Sequence, residues 1–148
     1  MTSGQYKIRE YCADDTDALI EIWRSANALA HPFLEDIFVE QVGSDMRSIY
    51  LPNAETWVLE VDGLPVGFIA LLGSEIGGLF LDPRLHGQGF GKALTDHAAK
   101  LKGKLSVEVF ENNIIGRRFY DRYGFVEVSR HLHEASGQNV LILEVPQE

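Results

Sequence analysis

The stretch Leu79-Phe80-Leu81-Asp82-Pro83-Arg84-Leu85-His86-Gly87-Gln88-Gly89-Phe90-Gly91-Lys92-Ala93-Leu94 has residue types and spacing suited to holding an anion. An apolar run leads into an Asp-Pro bend, and glycines follow at alternate positions, Gly87, Gly89 and Gly91. A helical pattern then starts with Ala93, Leu94, His97, Ala98 and Leu101. The order is strand, glycine loop, helix N-terminus. Glycine accepts φ > 0 and lets a ligand come close to the backbone. The first turn of a helix offers free N–H groups and the positive end of the dipole. Together these predict a phosphate site. Two common phosphate loops are excluded by spacing. A P-loop would need its first glycine at His86 and a Ser or Thr at Ala93. A dinucleotide fingerprint would need glycine at Lys92 or at Leu94.

The pattern that does fit is [R/Q]-x-x-G-x-[G/A] after a strand, with His86, Gly89 and Gly91 in its three slots. A second segment, Asn113-Ile114-Ile115-Gly116-Arg117-Arg118-Phe119-Tyr120-Asp121-Arg122-Tyr123-Gly124-Phe125, follows in the chain. It fits N-x-x-A-x-x-F-Y-x-x-x-G-F, with Gly116 in the alanine slot. The two segments, in this order, resemble the GNAT (Gcn5-related N-acetyltransferase) superfamily, and small single-domain bacterial acetyltransferases in particular. The likeness covers roughly residues 58 to 125, and His31-Pro32-Phe33 and Tyr50 to Ala54 extend it toward the N-terminus. His86 is a departure, since Arg or Gln is usual there.

The resemblance implies acetyl-CoA as co-substrate and transfer of its acetyl group to a primary amine. It implies that backbone groups of Phe80 and Leu81 pair with the pantetheine. It places the pyrophosphate on the loop His86, Gly87, Gln88, Gly89, Phe90, Gly91 and Lys92, and Asn113 near the pantetheine. Tyr120 matches the tyrosine that protonates the coenzyme A sulfur. Trp23, His31 and Phe33 lie in the region that covers the acceptor in the family. Arg84, Lys92 and Arg117 are candidate phosphate partners or plain solvated cations.

An attacking amine must be neutral, yet a lysine amine has a pKa near 10.4, so a base is needed. Glu108 is the leading candidate. Along Leu105 to Phe110 it shares a strand face with Ser106 and Phe110, opposite Leu105, Val107 and Val109. A lone carboxylate there is costly unless paired or hydrated. It also resembles the glutamate that serves as base in bacterial ribosomal-protein N-terminal acetyltransferases. A solvated strand carboxylate is the plain alternative. Glu75, ahead of the coenzyme strand, is the runner-up, and Asp82 reads as an Asp-Pro turn residue. His131 and His133 have same-face strand spacing, but no third metal ligand is evident, so no metal is expected.

These residues need a scaffold. Tyr6 to Glu10 alternates as a strand. Asp14 or Asp15 is suited to cap a helix carrying Ala18, Leu19, Ile22, Trp23 and Ala26 to about Asn27, and His31-Pro32 breaks it. A second helix is expected from Glu35 through Ile37, Phe38, Val42, Met46 and Ile49, ended by Leu51-Pro52-Asn53. Thr56 to Val61 and Val66 to Leu72 form a hairpin across Asp62-Gly63. Glu75 to Gly78 is a short link, and Leu79 to Leu81 a strand. After the loop, a helix runs to Lys102-Gly103, and after the strand Leu105 to Phe110 another runs from Asn112 or Asn113 to Tyr123, stopped by Gly124. Phe125 to Leu132 and Val140 to Val145 close the sheet around Ser136-Gly137. The expected fold is α/β, a mixed and mostly antiparallel twisted sheet of about seven strands flanked by about four helices. It forms a single domain over residues 1–148.

Composition narrows the class. The 148 residues carry a net charge of −9, unlike a duplex-binding or membrane-surface protein. The same charge speaks against an acetyltransferase acting on aminoacyl-tRNA. No apolar stretch reaches the length of a membrane helix, and Met1 to Tyr6 lacks a signal-peptide pattern. Cys12 is the only cysteine, so no intrachain disulfide forms and a cytoplasmic setting is expected. The reading is an acetyl-CoA-dependent N-acetyltransferase, monomer or homodimer, using direct transfer to an unspecified amine. The alternative from another class is a non-catalytic acyl-CoA sensor on the same fold.

Overall fold

The computed structural model describes residues 6–146. The reading of the N-terminal leader rests on residues that lie outside them, as do the last two positions of the chain. One seven-stranded sheet runs in the order β1-β2-β3-β4-β5-β7-β6. Its strands are β1 (Tyr6–Glu10), β2 (Glu55–Val61), β3 (Leu64–Leu72), β4 (Glu75–Leu81), β5 (Ser106–Phe110), β6 (Val126–His133) and β7 (Gln138–Glu144). All neighbours are antiparallel except β4 and β5. Asp62 and Gly63 both take positive φ, as a tight two-residue hairpin turn requires.

The helices are α1 (Thr16–Ala30), α2 (Asp36–Asp45), α3 (Leu51–Asn53), α4 (Phe90–Lys102) and α5 (Ile114–Tyr123). α4 and α5 cover one sheet face, where Leu94, Ala98, Tyr120 and Phe125 pack on Leu59, Ile69, Val107 and Val109. α1 and the segment after it cover the other, where Leu19, Trp23, Met46 and Leu51 pack on Val58 and Phe68. Phe68, with no exposed surface, contributes about 1.5–3 kcal/mol by burial. No helix among the described residues is long and apolar enough to cross a membrane.

Three expectations are corrected here. The segment Glu75 to Gly78 is not a link: β4 begins at Glu75, and the turn lies before it at Gly73, whose φ is +63°. The second helix does not stop at Leu51-Pro52. α2 passes through a π-helical turn, Met46–Tyr50, into α3. Proline has no N–H to give, and the wider turn shifts the register by one residue. Ile49 consequently faces solvent and Leu51 is buried. Ile37 is exposed as well, and nothing in the structure explains an apolar residue there. Finally, Asp15 makes no side-chain cap to α1. Its carboxylate accepts from Cys12 N–H and pairs with Arg9 at 2.8 Å, which holds its pKa down to about 2.

Candidate active site

The site grows from a fork in the sheet. β4 and β5 are parallel and pair only at Glu75 with Ser106 and Ile76 with Val107. β4 is displaced there: Ala70 of β3 faces Gly78 and Leu71 faces Ile76, so Gly77 is the extra residue of a bulge. A bulge bends its strand and ends pairing. From Gly78 to Leu81, β4 is bonded to β3 on one side and has no strand on the other among the described residues. Asp82 N–H bonds to the Val66 carbonyl of β3, so by alternation Phe80 also turns its backbone to β3. Leu79 and Leu81 present their N–H and C=O from this open edge to whatever enters the fork.

The open edge leads into the glycine loop. Asp82 accepts from the N–H of Arg84 and starts a short 3-10 turn, Pro83–Leu85. Arg84 also holds the Asp82 carboxyl below its ordinary pKa, which suits a turn residue rather than a base. Gly87 and Gly89 take φ of +83° and +87°, and Gly89 is the N-cap of α4. The first helical bond runs from Ala93 N–H to the Gly89 carbonyl. The N–H groups of Gln88, Gly89, Phe90, Gly91 and Lys92 have no protein acceptor among the described residues. Gly91 has a different task. A Cβ there would stand 3.2 Å from Phe119, so its absence lets α4 lie against α5. His86 is exposed and its ring bonds to no described residue. Lys92 is drawn back along the helix to Asp96 at 2.9 Å, and Arg117 donates to the Glu111 carbonyl.

Tyr120 is buried in the core layer between α5 and the sheet, in one cluster with Val107 and Val109 of β5. Its ring packs edge-on against Phe119 and Phe125, and burial pushes its phenol above the ordinary value. Its hydroxyl has no hydrogen bond among the described residues. The phenol therefore keeps its proton at neutral pH.

On the opposite face lies a pocket of about 200 Å³. Its wall comes from Trp23, Asn27 and His31 of the first helix and its cap, Phe38, Val42, Met46 and Tyr50 beyond, and Gly77, Phe80, Phe110 and His133 from the sheet. Gly43 makes this closure possible, because a Cβ there would stand 3.1 Å from the Trp23 ring. Phe33 is not on the wall. It packs behind it, edge-on to His31 and Phe110.

His31 ties the pocket to the coenzyme side. Its Nδ1–H donates to Asn27 Oδ1 at 2.6 Å, and its Nε2 accepts from Asn113 Nδ2 at 3.1 Å. Asn113 is the N-cap of α5, its Oδ1 accepting from Gly116 N–H at 2.8 Å. A Cβ on Gly116 would stand 2.5 Å from that amide, which explains glycine in the alanine slot. The Asn113 side chain is thus committed to the cap and to His31 rather than directed into the fork. Burial lowers the His31 pKa to about 4. The unfolded ring, titrating near 6.5, binds its proton first as pH falls. Stability must then drop between pH 6.5 and about 4, above the window of most carboxylates. Urea unfolding across that range should show this slope, and His31→Gln should flatten it.

Glu108 alternates with Val107 and Val109, so its side chain leaves the sheet on the pocket face, away from Tyr120. It is off the pocket wall, 38% exposed and 3.6 Å from His131 Nε2. Glu75 is also off the wall. It stands at the closed end of the fork, paired with Leu72 and Ser106, two residues before Gly77 of the wall. Reasoning from sequence missed Asn27, Phe38, Tyr50, Gly77 and Phe110 as pocket residues. Only Phe110 carried a signal, sharing the strand face of Glu108.

A sheet that forks between β4 and β5, with a glycine loop leading into a helix N-terminus at the end of the open edge, is the setting in which the comparisons with known proteins fall. The chain belongs to the GNAT acetyltransferases: residues 52–127 match the family described as Acetyltransferase (GNAT) domain. It is 36% identical over 124 residues to the peptidyl-lysine N-acetyltransferase YjaB of Salmonella typhimurium, covering 83% of this chain and 85% of the relative. It is 31% identical over 119 residues to the peptidyl-lysine N-acetyltransferase YiaC of Escherichia coli, covering 80% and 82%. The solution structure of apo-form YjaB from Escherichia coli superposes with a TM-score of 0.88 at 28% identity, covering 97% of this chain and 99% of that one. The protein is an N-acetyltransferase.

Proposed function

We propose that this enzyme moves the acetyl group of acetyl-CoA to the side-chain amine of a lysine in a peptide or protein, by direct transfer in a ternary complex. The observation that carries this is the fork. Its open β4 edge runs from the pocket at Gly77 to the unpartnered N–H row at Gln88 to Lys92. A pantetheine arm laid along Leu79 and Leu81 bonds to that edge as a strand does, with its pyrophosphate cradled by that N–H row. The thioester then lies at the bulge, between Tyr120 on one face and the pocket on the other. The apolar wall suits the carbon stem of a lysine, and the relatives bear peptidyl-lysine in their names.

Glu108 has the place for the first proton. At the rim beyond Phe110 it draws an ammonium to the pocket and takes its proton through water. Tyr120 gives its proton to the leaving sulfur. The pocket wall carries no thiol or lysine, and Cys12 is exposed and outside it, so an acetyl-cysteine or acetyl-lysine intermediate has no residue there to form on. The test is acetyl-CoA with a lysine peptide whose N-terminus is blocked, beside a lysine-free peptide with a free N-terminus. Thiol release matched by acetyl-lysine supports the proposal. Product only from the free N-terminus would overturn the acceptor, and an acetylated protein after acetyl-CoA alone would overturn direct transfer.

A further inference from the structure

We infer that His133 is a catalytic base of this enzyme, taking the second proton from the acceptor nitrogen during attack. The inference rests on the acetyltransferase reading above and goes beyond it in assigning a group that touches the reacting atoms. His133 ends β6 and forms part of the pocket wall, its ring edge-on to Phe38 and to Phe110. The two phenyl rings hold the imidazole in one plane and keep bulk water from its sides.

The hydrogen bonds around it accommodate a proton on Nδ1. Ser136 Oγ lies 2.8 Å from His133 Nδ1 and 3.3 Å from the His133 carbonyl, and it accepts from Gln138 N–H at 3.2 Å. A hydroxyl has one proton. Given to the carbonyl, it leaves the oxygen as acceptor for Nδ1–H. The Nε2 lone pair then has no partner among the described residues, on a ring that borders the pocket. His31, the other imidazole on this wall, cannot serve, because both its nitrogens are bonded. The His131 ring faces Glu108 instead. The sequence showed His131 and His133 only as a same-face pair lacking a third metal ligand. The structure divides them between rim and pocket.

The proton count requires such a group. Glu108 removes one proton from the ammonium. The neutral nitrogen then attacks the acetyl carbon, a C–N bond forms, and the carbonyl electron pair moves to oxygen. The nitrogen, now cationic, gives its proton to His133 Nε2. The carbonyl re-forms, the C–S bond breaks, and sulfur takes the Tyr120 proton. The imidazolium and the tyrosinate return to their starting states by exchanging one proton through solvent, and Glu108 releases the ammonium proton to bulk water, the one proton the reaction sets free. The other titratable groups facing this pocket or its rim are His31 and Tyr50 on the wall and Glu108 and His131 beyond Phe110.

The experiment compares the parent and His133→Gln with acetyl-CoA and the blocked lysine peptide across pH. Glutamine keeps the size and polarity of the ring and cannot take the proton. The expected result is a fall in kcat of about 10²–10⁴-fold, a flattened acid limb, and acetyl-CoA affinity within a few-fold by calorimetry. Added imidazole should restore part of the rate to His133→Ala. An active parent with an unchanged kcat and pH profile in His133→Gln removes the inference and leaves the acetyltransferase reading intact. A parent that acetylates neither peptide overturns the acceptor reading, and His133 is then decided without an acceptor. Ring ¹⁵N shifts in the acetyl-CoA complex should show Nδ1 protonated, and a proton on Nε2 would overturn the assignment.

Discussion

Replacing Tyr120 by Phe should lower kcat by about 10²–10⁴-fold and leave acetyl-CoA affinity within a few-fold. The exchange removes one oxygen and keeps the ring that packs on Phe119 and Phe125, so α5 should stay in place. The hydroxyl makes no hydrogen bond to another described residue, so its loss breaks none. Only the donor to the departing sulfur is gone. A coenzyme A thiolate leaving unprotonated must do so in a site that burial has made hostile to charge, and the same burial raises the Tyr120 phenol. Glu108→Gln should act on a different feature, the pH dependence, because deprotonation of the ammonium then relies on solvent. The double variant should lose less than the product of the two single losses if both groups serve one transition state. Turnover with the blocked lysine peptide, beside coenzyme binding, separates these effects. An unchanged kcat in Tyr120→Phe removes the acid, and a loss confined to affinity makes Tyr120 a binding residue.

The parts of this site legible in the sequence are the local ones. The glycine loop announces itself because positive φ at Gly87 and Gly89 is a backbone need that one residue type meets. The α5 cap was legible for a similar reason: Asn113 and Gly124 stand at the two ends of a helical pattern and do what those residue types do there. The fork was not legible. It depends on where β4 stops pairing with β5, and that follows from a bulge at Gly77 set by the register against β3. The pocket was hidden for a further reason. Its wall is drawn from separate segments, α1, the segment after it, β4, β5 and the end of β6, and a π-helical turn slips one of them by a residue. Periodicity therefore chose Ile49 where the fold buries Leu51. Asn113 shows the limit of matching slots. The residue was found, but its amide bonds to His31, a partner that lies far away in the chain.

Gly89→Val should abolish measurable acetyl-CoA binding at concentrations that saturate the parent, while the protein stays folded. Gly89 has φ +87° and ψ +4°, a left-handed conformation in which a β-branched residue is a true outlier. Nothing lies within 4 Å of the position a Cβ would take, so the obstacle is the backbone and not crowding. The strain is of order 1–3 kcal/mol. The chain relieves it by turning the Gly89 peptide, and that turn swings the N–H groups on either side out of the cradle. Charge-assisted hydrogen bonds contribute about 1.5–3 kcal/mol each, and each 1.4 kcal/mol is tenfold in affinity. Misdirecting two donors therefore weakens pyrophosphate binding by about 10²-fold or more. Gly63→Val supplies the comparison, since Gly63 also has φ of +83° and free space around it but lies in the β2–β3 turn. Both variants should unfold at lower urea than the parent, and only Gly89→Val should lose the coenzyme by calorimetry. Equal affinity in Gly89→Val and the parent would move the pyrophosphate off this loop. Equal losses in the two variants would show that lowered stability, and not the cradle, weakens binding.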